Sequence, residues 1–166
     1  EAPTATFNEF TITSPASEGQ LVSLTGRFDD TAGTHTATVQ WGDGTTNIVA
    51  IAPGSREFTA THTYADDSNP EGTATPSDVY RVIVTITDET GANDSTPVGL
   101  FLEEIRNVVP SNLNAVFSST NITEGQSISL SGLFGDPGLQ DVHRVKVSWG
   151  DGTESLITLP IGTRSF

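Results

Sequence analysis

The side chains with the most chemistry to offer in this sequence are carboxylates. Asp and Glu number 21 against 7 Lys and Arg, for a formal net charge of −14. Two acidic loops occupy matching places in the chain. Asp29-Asp30 follows Phe28, and Gly135-Asp136-Pro137-Gly138-Leu139-Gln140-Asp141 follows Phe134. Ca²⁺ takes about six to eight oxygen ligands, several of them carboxylate, so Asp29, Asp30, Asp136 and Asp141 are candidate Ca²⁺ ligands. The competing reading is solvated loop charge. Asp30 and Asp136 match between the loops, but Asp29 faces Gly135 and Asp141 has no acidic counterpart. Asp66-Asp67 is a weaker candidate on the same reasoning. Glu18 and Glu124 each precede a Gly at an expected turn, as ligands facing a linker or as surface charge.

Nothing else in the sequence marks a reactive centre. His35 and His143 stand at the same distance before Trp41 and Trp149, which favours a repeated structural role, and His62 is the third histidine. Zinc needs about three or four converging nitrogen or sulfur ligands, and the chain has no Cys. No Gly-x-Ser-x-Gly turn marks a nucleophile. The acids gather in turns rather than across a cleft, as a glycosidase pair would. No catalytic residues are expected, and the chain reads as a non-enzyme. The acidic balance works against nucleic acid, which needs clustered Lys and Arg, and against an anionic membrane surface. No run approaches the ~18 apolar residues of a membrane span.

The elements that must position these loops are set by an internal duplication. Glu18-Gly19-Gln20-Leu21-Val22-Ser23-Leu24-Thr25-Gly26-Arg27-Phe28 matches Glu124-Gly125-Gln126-Ser127-Ile128-Ser129-Leu130-Ser131-Gly132-Leu133-Phe134. Trp41-Gly42-Asp43-Gly44-Thr45 recurs as Trp149-Gly150-Asp151-Gly152-Thr153. The period, roughly 106 to 108 residues, is a whole domain and not a solenoid unit. The slip between the blocks is an insertion in the loop after Phe134. Residues 1–107 form the expected first unit. Residues 108–166 form the first half of a second, incomplete one, for Phe166 is the counterpart of Phe58. The break falls within a strand, so continuation of the chain is expected, with strands from another chain as the alternative.

Period-2 alternation recurs through both copies. Val22, Leu24, Gly26 and Phe28 share a face, as do Ile128, Leu130, Gly132 and Phe134. Ala37, Val39 and Trp41 form another, matched by Val145, Val147 and Trp149. Phe58, Ala60, His62 and Tyr64 make a third, and Tyr80, Val82, Val84 and Ile86 a fourth. Further strands are expected near Phe7–Thr13 and Val98–Leu102. Seven short strands without helical periodicity predict an all-β fold, tandem immunoglobulin-like antiparallel β-sandwiches. With no disulfide, Trp41 is the expected centre of the inter-sheet packing.

The Trp41-Gly42-Asp43-Gly44 turn, Thr61-His62-Thr63-Tyr64, and the strand Tyr80-Arg81-Val82-Ile83-Val84-Thr85-Ile86-Thr87-Asp88 occur in that order. Together they resemble the polycystic-kidney-disease (PKD) domain, in the form found in long bacterial surface proteins. An aromatic that many members carry inside the Trp-to-Gly-Asp-Gly stretch is missing, and Asp67 to Ser77 is an insertion. The resemblance implies an immunoglobulin-like fold, an extracellular or cell-surface location, a spacer or adhesive role and no catalysis. It also favours Ca²⁺ near the loop after Phe28 or Phe134. In that setting the sequons Asn93-Asp94-Ser95 and Asn121-Ile122-Thr123 are read as chance. The expected function is a structural or adhesive spacer of a large secreted repeat protein, Ca²⁺-stiffened and part of a fibre. Its expected partners are neighbouring repeats, other copies in a fibre, or cell-surface ligands. The alternative is an accessory polysaccharide- or protein-binding module of a secreted hydrolase. That reading is weakened by there being only two Trp and two Tyr.

Overall fold

The computed structural model describes residues 10–30, 33–67, 75–95 and 101–166. The described residues form strands, turns and loops and no helix. Among the described residues, nine strands lie in the first unit: β1 (Thr11–Ile12), β2 (Ala16–Ser17), β3 (Leu21–Arg27), β4 (His35–Gln40), β5 (Thr46–Ile51), β6 (Glu57–Thr63), β7 (Ser77–Asp88), β8 (Asn93–Ser95) and β9 (Phe101–Arg106). One sheet runs β1-β3-β6. The other runs β2-β9-β7-β4-β5, with β8 alongside β7. All pairs are antiparallel except β2 with β9. The arrangement is all-β and compatible with a β-sandwich. Of the two further strands expected from sequence, the described parts are β1 and the start of β9. Residues 7–9 and 98–100 lie outside the described residues, as does most of the Asp67 to Ser77 insertion.

The alternation explains the packing. In a strand, successive side chains point to opposite faces. Val22, Leu24 and Phe28 from one sheet meet Ala37, Val39, Val82, Val84, Ile86 and Ile105 from the other in one buried cluster. Each fully buried aliphatic or aromatic side chain contributes roughly 1.5–3 kcal/mol. Gly26 is placed by close approach. A Cβ there would sit 2.7 Å from the Phe58 ring and also against the Phe10 ring, so only hydrogen fits.

Trp41 is wholly buried. It stacks on His62 with ring centroids 5.1 Å apart, and meets Tyr64 edge-on at 6.4 Å. Its indole N–H donates to Asn47 Oδ1 at 2.8 Å. The Tyr64 hydroxyl crosses between the sheets to donate to the Trp41 carbonyl at 2.8 Å.

The second unit contributes β10 (Ser111–Phe117), β11 (Leu130–Gly135), β12 (Arg144–Ser148) and β13 (Glu154–Thr158), paired β10-β11 and β12-β13. It repeats details of the first. The Trp149 N–H bonds the Thr153 carbonyl at 3.1 Å, as Trp41 does Thr45 at 3.2 Å. Gly132 and Phe166 exchange two backbone hydrogen bonds, as a short echo of the Gly26–Phe58 pair between β3 and β6. Two details differ. β11 begins at Leu130, whereas β3 begins at Leu21, where Leu21 to Ser23 pair with Thr61 to Thr63. The apolar face also stays open. Leu113, Phe117, Leu130, Val145, Val147 and Phe166 line a cavity of about 530 Å³.

Glu103, on β9, is fully buried. Burial raises its carboxyl from 4.5 to about 7, outweighing the Ser14 hydroxyl and the Ala16 backbone. The folded state therefore holds this proton more tightly than the unfolded chain. The associated stability is complete below the unfolded pKa and is lost as pH rises from about 4.5 through about 7.

Two outcomes are expected. Trp41→Ala should lower stability by about 3–5 kcal/mol, seen as a large fall in melting temperature. Glu103→Gln should flatten the decline in stability between pH 4.5 and 7 and exceed the parent by about 2–3 kcal/mol at pH 8. Denaturant melts across that pH range would show it, and an unchanged slope would contradict it.

Candidate metal centre at the junction of the two units

The acidic loops have different fates. In the first unit, Asp30 Oδ2 lies 2.5 Å from His35 Nε2, with both side chains buried. In the second, Asp136 Oδ2 lies 3.1 Å from His143 Nε2. The two Asp–His pairs are the same feature built twice, and each His ring packs against the equivalent Phe28 or Phe134 ring at 4.8 Å. Asp136 is further occupied. Its Oδ1 accepts from the Gly138 N–H at 2.9 Å, and Arg164 lies 4.0 Å away. Arg164 also donates to the carbonyls of Asp136 and Gly138. Asp29 is exposed.

The Gly42-Asp43-Gly44 turn is structural. Both glycines have φ near +90°, at 90° and 88°, which disfavours a side chain. Asp43 accepts from the Thr45 amide and hydroxyl, and its Oδ2 lies 2.6 Å from His62. Burial would raise the Asp43 carboxyl, but these hydrogen bonds and His62 hold it below its ordinary value. The turn thereby anchors β6 beneath Trp41. Asp151 caps Thr153 in the same way.

Asp141 goes elsewhere. The inserted loop between β11 and β12 reaches back to the first unit, where the Leu139 N–H donates to the Ala65 carbonyl at 3.0 Å. Pro137 packs on Gly19 so closely that a Cβ on Gly19 would sit 2.8 Å from it. This docking carries Asp141 to Glu18, Asp66 and Asp67. One ligand atom from each of the four lies within 4.8 Å of the others. Asp136, Asp141 and His143 form a second such group.

Glu18, Asp66 and Asp67 are buried, at 2 %, 6 % and 1 % exposure. Glu18 is held by the linker, whose Val108 N–H donates to Oε1 at 2.7 Å. Asp66 is positioned through its backbone, whose carbonyl accepts from the Tyr80 hydroxyl at 3.1 Å. Glu18 Oε2, both Asp66 carboxylate oxygens and Asp67 Oδ2 have no hydrogen-bond partner. Burial, then the neighbouring carboxylates Asp141, Asp67 and Asp136, push Glu18 up to about 7 against the pull of Val108. Burial with Asp66 and Asp141 raises Asp67 to about 6. Burial and Asp136 likewise raise Asp141.

Of the four candidates read from sequence, then, Asp141 joins this cluster, Asp136 sits beside it with His143 and Arg164, and Asp30 pairs with His35. Asp29 and Asp30 belong to neither group. Asp66-Asp67 and Glu18, secondary in the sequence, are central in space. The signal that favours them is position: Glu18 sits beside a turn near the linker, and Asp141 lies in the insertion that only the second copy has.

The geometry defines a class of site rather than a reaction: an all-carboxylate cage at the joint between two β units. Compared with protein-family models and with curated proteins, the chain matches none.

A Cβ on Gly138 would lie 2.5 Å from Glu18 Oε2 and 2.6 Å from Asp141 Oδ2. Gly138→Ala is therefore expected to push the inserted loop off the first unit. Hydrogen exchange at the Leu139 amide should accelerate, while amides in the core strands β4 and β7 stay protected.

Proposed function

We propose that this chain is a segment of tandem immunoglobulin-like modules that serves as a non-catalytic spacer in a secreted or cell-surface protein. The observation that carries this reading is the joint. The second unit is tied to the first through Leu139–Ala65, Pro137–Gly19 and Val108–Glu18, so the linker does not stand alone between them. Pro110 restricts the linker further, together with Val109 before it. The strand order supports the immunoglobulin-like reading, with β2 crossing to pair parallel with β9 while β1 stays on the opposite sheet. The paired Gly-Asp-Gly turns and Asp–His pairs support a duplicated module, and the PKD resemblance accords with both.

A polysaccharide-binding surface receives less support. Trp41, Tyr64 and Tyr80 are buried, which removes them as stacking platforms. No helix among the described residues is long and apolar enough to cross a membrane.

The absence of Cys makes the spacer reading simple to test. Spin labels on Ile48→Cys and Leu156→Cys, at exposed strand positions of the two units, should give one narrow distance distribution by electron paramagnetic resonance. A broad distribution spanning tens of ångströms would show freely tumbling units and overturn the proposal.

A further inference from the structure

We propose that Glu18, Asp66, Asp67 and Asp141 bind one divalent cation of the Ca²⁺ class, held between the two units. Four carboxylates in so small a space repel one another strongly, and the repulsion grows as water is excluded. Buried charge is normally paired with an opposite charge or a metal. Here no Lys or Arg forms an ion pair with the four carboxylates. All seven Lys and Arg lie among the described residues. The ion pairs formed there by Arg and Lys are Arg27–Glu57, Arg106–Glu104, Lys146–Glu154 and Arg164–Asp136. None of these pairs includes any of the four carboxylates; His143 and Arg164 act on Asp141 at longer range, without closing an ion pair.

The unpartnered oxygens are the independent mark of a ligand. Three side chains more than nine-tenths buried carry four oxygens without a hydrogen-bond partner, and each of the three offers one ligand atom to the cluster. Buried polar atoms are generally satisfied, and the other exceptions among the described residues, His35 Nδ1 and the Glu103 carboxylate, belong to no group of potential metal ligands. The neighbouring group of Asp136, Asp141 and His143 is different, because Asp136 is already saturated by Gly138, His143 and Arg164. That contrast places the ion among Glu18, Asp66, Asp67 and Asp141.

The donor set selects the cation. It contains only carboxylate oxygen, which suits Ca²⁺, Mg²⁺ or Mn²⁺ and not Zn²⁺ or Cu²⁺. Mg²⁺ demands near-octahedral geometry and keeps several waters, whereas a cluster of four carboxylates from different loops suits the larger and more adaptable coordination sphere of Ca²⁺. The ligands come from three places: the turn after β2, the loop after β6, and the inserted loop of the second unit. The ion would therefore join the units directly. The assignment deepens the spacer reading without depending on it, since cation binding and joint rigidity are measured separately.

The test uses the whole chain, stripped with EDTA and titrated with CaCl₂, MgCl₂ and ZnCl₂ by calorimetry. One Ca²⁺ site is expected, tighter than for Mg²⁺, with a rise of several degrees in melting temperature. Tb³⁺ should bind in its place and be sensitised by Tyr80, whose hydroxyl contacts the Asp66 carbonyl. Asp141→Asn should weaken Ca²⁺ binding about tenfold or more and reduce the Tb³⁺ signal. Asp29→Asn should leave both unchanged. No binding up to about 10 mM Ca²⁺, tenfold beyond the ~1 mM weak end for extracellular modules, would overturn the proposal. So would binding that survives Asp141→Asn or is lost with Asp29→Asn. Should Asp141→Asn disturb folding, seen as a lower melting temperature in EDTA, Asp67→Asn serves in its place under the same criteria.

Discussion

Tyr64 is the residue through which core and joint are connected. Its hydroxyl reaches the Trp41 carbonyl and closes one sheet on the other, the task a disulfide performs in many sandwiches. Its ring packs on Tyr80 with centroids 4.5 Å apart. Its carbonyl accepts the Gly19 N–H at 2.8 Å, fixing the turn that carries Glu18. The next carbonyl, that of Ala65, receives the Leu139 N–H of the second unit. Asp66 and Asp67 follow at once. The acidic cluster is thus built on backbone that the aromatic core has already made rigid, and it is not borne on a free loop.

Much of the fold could be read from the sequence because strand faces follow a local rule. Val22, Leu24 and Phe28, and Tyr80, Val82, Val84 and Ile86, declare their inward face by spacing alone, and all are buried. The glycine at Gly26 and Gly132 was visible as a repeated letter, but its reason, a phenylalanine ring lying against the backbone, needs the sheet pairing. The cluster was harder. Glu18, Asp66-Asp67 and Asp141 are far apart along the chain, and only the docking of the second unit brings them together. Matching one copy with the other pointed to Asp30 and Asp136, which do correspond. What they share is a histidine partner. The residue that joins the cluster is Asp141, the one without a counterpart.

The two units also show how one motif takes different environments. Trp41 is wholly buried, whereas Trp149 is half-buried, although both sit on the same turn with the same backbone hydrogen bond. The turn is local and forms from its own residues. The Trp41 indole is covered by the His62 and Tyr64 rings, whereas the Trp149 indole has Phe117 as its aromatic neighbour. Local chemistry sets the turn, and long-range pairing sets how deep the ring lies.

The insertion after Phe134 gives each unit its own fitting. The first unit's corresponding loop, between Phe28 and His35, is shorter and has neither a Leu139 nor an Asp141. The two copies share their strand pattern, and the contacts between them come from loop length, through Leu139 on Ala65 and Pro137 on Gly19. A loop two residues longer is thus enough to turn one copy of a repeated strand pattern toward its neighbour, through Leu139 and Asp141.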